Sequence, residues 1–395
     1  MRITAIEDLH ADGGWRTFSF VKISTDRGLV GWSEYAETSW SPGLTAIVRK
    51  LAEGLIGQDP RRYARIGADL RNSVRMAPGG LADQAIAALE NACLDLAAKA
   101  AGVPVYALFG GPVRETIPLY WSHCGSFRAT LPELFARDIG GPAVRSLDDL
   151  RSLGAEVKRR GYRALKTNPI VFGGERPMLT NPGFRPGLEL GRNGDARLTA
   201  MIIEQLQAFR EGAGPDVGLM LDVNFGLSAE ALAGLAQALE PLGLAWLEAD
   251  VHAPAALAQV RRSSRTPLAS LESIYRVKGF QPYLDAGAVD VAIVDVVWNG
   301  LPESLRIAAL AEAHDVNVAP HNFYGHLSSL ISAHFAAVVP NLRIMEYEAD
   351  DVPWKDDLVT APQVVDGALV LPTGPGWGTE VDEAALRAHP PRGAR

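Results

Sequence analysis

The chain has 395 residues, of which 47% are apolar and 21% charged, so it is long enough for two or three domains and too apolar to be disordered. Its net charge of −8 comes from scattered acids and leaves no basic surface for a phosphate backbone, so we expect no nucleic-acid partner. Two cysteines are too few for a disulfide framework or a thiolate metal cluster. With no signal-peptide pattern and no apolar run near ~20 residues, we expect a cytoplasmic protein without a membrane partner.

A hairpin and two helices are predicted within residues 1–117, which we expect to form an α+β capping domain. Residues 16–25 alternate apolar and polar side chains, and after a turn sequence residues 29–35 resume the extended pattern, which predicts a β-hairpin. Apolar residues at steps of three and four predict one helix between 43 and 57 and a second over 81–101.

Beyond residue 117 the pattern changes to short apolar runs separated by helix-length segments. Eight such runs, most of them followed by a helical stretch, are typical of an α/β fold, the (β/α)7β TIM barrel. We expect the barrel over 118–369 and a tail, 370–395, that folds back onto the capping domain. The predicted strands are 118–122, 163–167, 218–222, 244–248, 267–272, 291–295, 316–321 and 342–348.

A segment rich in Gly, Pro and Asn, 171–195, interrupts the second βα unit. A loop of this length inside a compact domain is often functional. The segment either covers a substrate or runs over the surface without a function, and both interpretations stay open.

Five ionisable residues stand at the ends of five consecutive predicted strands, at intervals of 26, 24, 23 and 26 residues, which is one βα unit each time. The C-terminal strand ends of such a barrel converge on its catalytic face. The first three are carboxylates, the donors that Mg²⁺ prefers. A single acid there would more simply cap a helix or pair with a cation, but three at this spacing favour a metal site. The five are Asp222, Glu248, Glu272, Asp295 and His321.

Further polar residues at strand ends are candidates for catalysis or binding. His321 follows strand seven beside Asp295, and a carboxylate on one imidazole nitrogen makes the other a general base. Lys166, at the end of strand two, either pairs with the carboxylates or contacts a substrate carboxylate, which we favour. Glu346, after strand eight, either binds substrate or neutralises Arg343.

Seven segments, in one order over nearly the whole chain, carry a family resemblance: AIAALENACLDLAAKAAGVPVYALFGG, LKTN, LDVN, WLEAD, SLES, VDVAIVDVVWNGLPESLRIAALAEAHDVNVAPHNF and LPTGPGWG. On these segments the sequence resembles the enolase superfamily, in the branch typified by mandelate racemase and the acid-sugar dehydratases. The resemblance implies a homo-oligomer with a Mg²⁺ cofactor. It also implies the following site residues: metal ligands Asp222, Glu248 and Glu272, the base dyad Asp295 and His321, and a substrate contact at Glu346.

Two positions depart from the family pattern. Lys166 matches the first lysine of the family's Lys-x-Lys motif, but Asn168 replaces the second, which is often a base on the opposite face. Racemisation is therefore disfavoured unless Lys166 takes that role. Asn224 stands where some family dehydratases carry a histidine. We keep both asparagines as candidate substrate contacts.

The segment 10–16, HADGGWR, is similar to the family's mobile loop over the barrel mouth. Trp15 and Arg16 would close over a substrate there, although a glycine pair before a strand is also a common turn. His123, after strand one, is as readily a packing residue as a substrate ligand.

The function we expect is magnesium-dependent dehydration of a sugar acid, an aldonate or aldarate, to a 2-keto-3-deoxy acid. His321 removes the α-proton and the β-hydroxyl leaves. The alternative is a racemase, epimerase or cycloisomerase that acts on a carboxylate through the same enolate, with Lys166 as the opposing base. A non-catalytic binding protein on the same scaffold is less favoured, because all five strand-end residues are present.

Overall fold

The computed structural model describes residues 1–172, 176–179 and 193–392. Most of the long segment predicted at 171–195 therefore lies outside the described residues. At its start, Ile170–Val171 pairs antiparallel with Met178–Leu179. No helix of the described residues is both long and apolar enough to cross a membrane.

An antiparallel sheet and three helices form the capping part. The predicted hairpin and both predicted helices are confirmed, but one strand and one helix were missed. The missed strand, Ile3–Asp12, carries the consecutive acids Glu7 and Asp8, which interrupt the apolar alternation. The strands are Ile3–Asp12, Thr17–Thr25 and Val30–Tyr35, and the helices are Leu44–Ala52, Tyr63–Ser73 and Gly80–Ala101.

Eight parallel strands close into a barrel, which confirms the predicted fold class. Strands one to seven pair in chain order, strand eight pairs with strand one, and a bridge between Val318 and Leu342 closes the ring beside strand seven. The barrel strands, numbered one to eight, are Thr116–Trp121, Ala164–Thr167, Gly218–Asp222, Trp246–Glu248, Leu268–Ser270, Val291–Asp295, Asn317–His321 and Met345–Tyr347.

A longer helix follows each of the first seven strands. Only a single helical turn, Lys355–Leu358, comes soon after the eighth, as the (β/α)7β pattern requires. The seven helices are Leu147–Arg159, Ala196–Ala213, Ala229–Leu239, Pro254–Ser263, Arg276–Asp285, Leu301–Glu312 and His326–Val338.

Side chains that point inward fill the barrel and form the floor of its C-terminal mouth. Large rings alternate with small residues: Tyr120 and Trp246 meet edge to face with ring centroids 5.5 Å apart, while Ala164, Ala269 and Ala319 leave room for them. Side chains alternate between the two faces of a strand. The residue two positions after each inward-pointing one therefore also points inward, one layer higher, at the mouth.

The tail crosses from the barrel to the cap. Ala368–Val370 adds antiparallel to the first barrel strand, and farther on the backbone N–H of Trp377 donates to the Asp95 carboxylate at 3.0 Å. The Trp377 indole donates to the carbonyl of Trp32 at 2.8 Å. The domain boundaries at residues 117 and 370 remain predictions.

His334 joins three parts of the chain. It lies on the helix His326–Val338, where its Nδ1 accepts the Tyr106 N–H at 3.1 Å. Its Nε2 lies 3.2 Å from the carbonyl of Trp377 in the tail. Because Nδ1 accepts, Nε2 carries the proton and the imidazole is neutral. Burial lowers the pKa of His334 to about 4.

We predict that this histidine makes the fold sensitive to acid. The folded pKa of about 4 lies below the usual 6.5, so only the unfolded chain takes up a proton as the pH falls from 6.5 towards 4. Because of His334, the free energy of unfolding should therefore fall by about 2 kcal/mol between pH 7 and pH 5. Urea unfolding at both pH values checks it. The variant His334→Asn should lose correspondingly less stability over this interval, and an equal loss in both proteins would contradict the prediction.

Candidate active site

The alternation of the barrel strands brings Ser122 and most of the predicted polar residues to one mouth. Each lies two positions after a residue of the interior layer, so it points into the barrel directly above that layer. Side chains of this set are almost completely buried. They are Ser122, Lys166, Asp222, Glu248, Asp295, His321 and Glu346.

Glu272 reaches the mouth by a different route. Barrel strand five ends at Ser270, and Leu271 adopts a φ of 92°, in the left-handed region that side chains such as leucine rarely occupy. Its N–H donates to the Asp250 carboxylate at 3.2 Å, and the Ser270 hydroxyl donates to the same oxygen at 2.9 Å. Asp250 thus holds the turn that brings Glu272 to 3.4 Å from His321 Nε2.

Lys166 lies among the carboxylates. Its Nζ donates to Glu248 Oε1 at 2.9 Å and lies 3.1 Å from Glu346 Oε1 and 3.8 Å from Asp222 Oδ2. The other oxygen of Glu248 accepts the Trp246 indole N–H at 2.9 Å. The structure shows the ion pairs of Lys166 with the carboxylates, which is one of the two interpretations from the sequence, and the favoured contact with a substrate carboxylate remains a prediction. Glu346 pairs with Lys166, although Arg343 is nearer in sequence.

The Asp295–His321 pair is held firmly from several sides. His321 Nδ1 lies 2.6 Å from Asp295 Oδ2, which also accepts the Tyr324 hydroxyl at 2.7 Å. The second oxygen of Asp295 accepts the Trp298 N–H at 2.7 Å. With Nδ1 fixed by the carboxylate, Nε2 faces Glu272, and Glu346 Oε2 lies 3.9 Å away.

Burial and neighbouring charges act against each other on the pKa values of the mouth residues. Burial acts to lower the pKa of His321, but Glu272 and Glu346 outweigh it and raise it to about 10. Burial also acts to lower the pKa of Lys166, but Glu248 and Glu346 raise it well above its usual value. Burial raises the pKa values of the three predicted metal ligands, against the opposing effect of Lys166 or His321; these are Asp222, Glu248 and Glu272.

These three acids are not gathered around a single point. In the part of the chain that the structure describes, no three Asp, Glu, His or Cys side chains form a metal-binding group. Lys166 and His321 stand between them and supply positive charge. The donors nevertheless fit Mg²⁺, since they are hard oxygen ligands. Burial raises their pKa values in spite of the two nearby cations, so a divalent ion bound here would stabilise their charged forms.

The two asparagines differ in their surroundings. Asn168 Oδ1 accepts the Ser126 hydroxyl at 2.9 Å and its Nδ2 donates to the Asp222 carbonyl at 3.2 Å, so both ends of its amide bind protein. Asn224 adopts a φ of 51° and its backbone N–H donates to Asp222 Oδ1 at 2.9 Å. Asn168 and the Asn224 backbone therefore help to position Asp222. A substrate contact at either side chain remains a prediction.

The predicted closing loop is both a turn and a cover. The Gly13 N–H donates to the Arg16 carbonyl at 2.9 Å, which closes the turn between the first two cap strands. The Trp15 ring stacks on Phe323 with centroids 5.9 Å apart, and Phe323 lies 5.1 Å from the His321 ring. The Arg16 guanidinium pairs with Asp351. The loop thus lies over the residues that follow strand seven.

The sequence interpretation missed the cap residue that holds these residues in place. Glu34, on the third cap strand, accepts the Gly325 N–H at 2.6 Å and the Ser328 N–H at 2.9 Å. It thereby caps the helix that begins at His326, five positions after strand seven ends at His321. A side chain at Gly325 would collide with the Glu34 carboxylate, since an added Cβ would lie 2.6 Å from Oε1. Contacts across 291 residues leave no local sequence signal.

Two other residues that support His321 could have been found from the sequence. Tyr324 and Phe323 follow His321 within three positions, in the segment HNFY. Polar or aromatic residues directly after a catalytic strand are placed to contact the strand-end groups.

Comparison with known proteins identifies the class. Residues 149–385 match the enolase C-terminal domain-like family, and residues 13–110 match the mandelate racemase / muconate lactonizing enzyme N-terminal domain. The chain therefore belongs to the enolase superfamily. Its N-terminal match places it in the mandelate racemase and muconate lactonizing enzyme branch, whose members act through enolate chemistry, and this confirms the resemblance inferred from the sequence.

Individual relatives differ in the reaction attached to their names. A Burkholderia xenovorans strain LB400 structure, provisionally described as an L-alanine-DL-glutamate epimerase, is 43% identical, with a TM-score of 0.96 over 100% of this chain and 99% of that one. A D-galactarolactone cycloisomerase from Agrobacterium fabrum is 30% identical over 94% of this chain and 90% of its own length. A D-xylonate dehydratase from Haloferax volcanii is 28% identical over 98% of this chain and 88% of its own length.

Magnesium is the metal of this family. A second Burkholderia xenovorans structure with the same description is bound to magnesium and fumarate, at 43% identity and a TM-score of 0.96 over 99% of this chain and 97% of that one. The prediction of a Mg²⁺ cofactor is thereby confirmed.

We predict that His321 is an imidazolium at neutral pH in metal-free protein, because its pKa is raised to about 10. The variant Glu272→Gln removes a facing carboxylate that stabilises the charged ring, so the pKa should fall by about one unit or more. NMR titration of histidine-labelled protein checks this, with the resonance assigned by its loss in His321→Asn. A pKa below about 7.5 in metal-free wild type, unchanged in Glu272→Gln, would contradict the prediction.

Proposed function

We propose that this protein is a magnesium-dependent enzyme that removes the proton next to a carboxylate and isomerises its substrate, as an epimerase, racemase or cycloisomerase. The observation that carries the proposal is the Asp295–His321 pair, 2.6 Å apart, which leaves Nε2 facing the carboxylates of the barrel mouth. A base so oriented, beside a cation and oxygen donors for a metal, suits α-proton abstraction.

The metal ligands in this proposal are Asp222, Glu248 and Glu272. Bound among them, Mg²⁺ supplies a Lewis acid that stabilises negative charge on a substrate carboxylate. Lys166 would support the same charge, because its ammonium group is already held in the mouth by Glu248 and Glu346.

His321 takes the proton in this scheme. Asp295 stabilises the imidazolium that forms, and the Tyr324 hydroxyl and Trp298 N–H hold Asp295 in the required orientation. Aromatic rings around the imidazole exclude water, since Trp298 and Phe323 lie with centroids 5.3 and 5.1 Å from it. The chain thus provides the base, its orientation and a dry surrounding.

Isomerisation is the first choice because the relatives support it. The protein at 43% identity carries an epimerase name and binds fumarate, a small carboxylate, and the cycloisomerase is the 30% relative. The second choice is dehydration of a sugar acid, which the 28% identical xylonate and galactonate dehydratases favour. The absence of a second lysine at Asn168 also favours dehydration, since elimination needs one base only.

Deuterium exchange tests the proposal. We expect purified protein with Mg²⁺ in D₂O to exchange the α-proton of at least one acid from a panel of dipeptides, aldonates and aldarates, and to invert that carbon without releasing water. His321→Asn and removal of Mg²⁺ with a chelator should each lower the exchange rate at least about 100-fold, because general bases contribute about 10² to 10⁴. NMR follows both exchange and inversion.

The outcomes separate the candidates. Formation of a 2-keto-3-deoxy acid, without inversion, would favour dehydration over isomerisation. No exchange with any acid of the panel would contradict both.

A further inference from the structure

We propose that His123, held by Glu348, is the second proton carrier of this site and delivers a proton to the face of the enolate opposite His321. This inference rests on the proposed isomerisation, which needs a proton donor on each face of the α-carbon. It gives His123 a catalytic role, beyond the substrate contact expected from the sequence.

The pair repeats the arrangement of the proposed Asp295–His321 dyad. His123 Nδ1 lies 2.8 Å from Glu348 Oε2, as His321 Nδ1 lies 2.6 Å from Asp295 Oδ2. In both pairs a buried carboxylate fixes the Nδ1 proton and leaves Nε2 for exchange. Among the described residues, Nε2 of His123 has no hydrogen-bond partner, so its proton is free for a ligand.

Both imidazoles border the same space. His123 follows barrel strand one and His321 ends strand seven, and strand eight lies between those two strands. The Phe323 ring lies 5.7 Å from the His123 ring and 5.1 Å from the His321 ring. Ser122, the neighbour of His123, donates to Glu346 in the mouth. The two histidines therefore approach the mouth from the two sides of strand eight.

The backbone around His123 is specialised for this placement. Its φ of 46° lies in the left-handed region, which costs energy for a residue with a side chain. Phe127 packs against the ring at 4.6 Å and Trp15 of the cap loop meets it edge to face at 6.2 Å. The ring is thus fixed in orientation and covered by the same loop that packs on Phe323 beside His321.

Glu348 is a buried carboxylate whose contacts suit it to hold the His123 imidazole. It is 2% exposed, and within the described residues its ion-pair partner is His123. Its second oxygen, Oε1, is buried without a hydrogen bond in that part of the chain. A buried carboxylate with this ion-pair partner holds the imidazole through its Nδ1 proton and leaves Nε2 for a ligand.

The other groups near position 168 are already engaged. The Asn168 amide is hydrogen-bonded at both ends and carries no exchangeable acid or base function. The Lys166 ammonium is shared among three carboxylates, which suits charge stabilisation. His123 supplies the proton transfer that the missing second lysine would have provided.

The step balances without any other reactant. His321 Nε2 takes the α-proton, and the C–H electron pair enters the enolate. The enolate then forms a new C–H bond with the proton on His123 Nε2, which leaves His123 neutral and inverts the carbon. One proton passes from His321 to solvent and one from solvent to His123, which restores the starting state.

The test compares exchange with inversion in D₂O, for a substrate that wild type inverts. For the isomer whose α-proton faces His321, His123→Gln should still exchange that proton within about threefold of wild type, while inversion falls at least about 100-fold. His321→Asn should lose exchange of this isomer and keep exchange of the opposite one. His252→Gln is the matched control, because His252 is an exposed imidazole bonded to Ser273, and it should behave as wild type.

The outcomes are decisive. Inversion by His123→Gln within about threefold of wild type overturns the inference, and so does an equal loss of exchange and inversion in folded protein. If His123→Gln fails to fold, Glu348→Gln replaces it and should lower inversion more than exchange; equal effects on both overturn the inference. Wild type that exchanges no acid overturns the proposed function instead.

Discussion

Charge balance among carboxylates buried in the barrel mouth is the constraint on which the rest of the site depends. Each buried carboxylate costs several kcal/mol unless it is paired and hydrogen-bonded. Lys166 lies within 3.8 Å of three of them, and His321 contacts Asp295 and faces Glu272. Lys166 and His321, the two cations that stabilise these buried carboxylates in the absence of metal, are also the two that the proposed chemistry uses. A bound divalent ion would neutralise part of the carboxylate charge, and the two cations could then interact with a substrate.

The cap completes this arrangement from outside the barrel. Glu34 fixes the turn after strand seven through two backbone N–H groups, and Trp15 lies over Phe323 in that turn. Tyr324 in the same turn binds Asp295. The orientation of the base thus depends on a residue nearly 300 positions away, since Glu34 bonds Gly325 across 291 residues. Loss of cap packing would disorder the base as well as expose it.

Much of the fold and part of the site follow from local patterns in the sequence. Strand alternation predicts that Asp222, Glu248 and His321 point into the mouth, because each follows an inward residue by two positions. Glu272 breaks this rule, and only the left-handed Leu271 held by Asp250 explains its place. The capping role of Glu34 and the pairing of His123 with Glu348 join distant segments. Such contacts depend on tertiary packing, which a single sequence does not display.

The central claim is that the buried carboxylates Asp222, Glu248 and Glu272 form the metal site. Calorimetric titration of Mg²⁺ into metal-free protein tests it most directly. Wild type should bind one Mg²⁺, and Glu272→Gln should bind it at least about tenfold more weakly, a loss of about 1.4 kcal/mol or more. Glu90→Gln, which alters a buried carboxylate paired with Arg71 in the cap, should bind as wild type does. Equal affinities of wild type and Glu272→Gln would contradict the account.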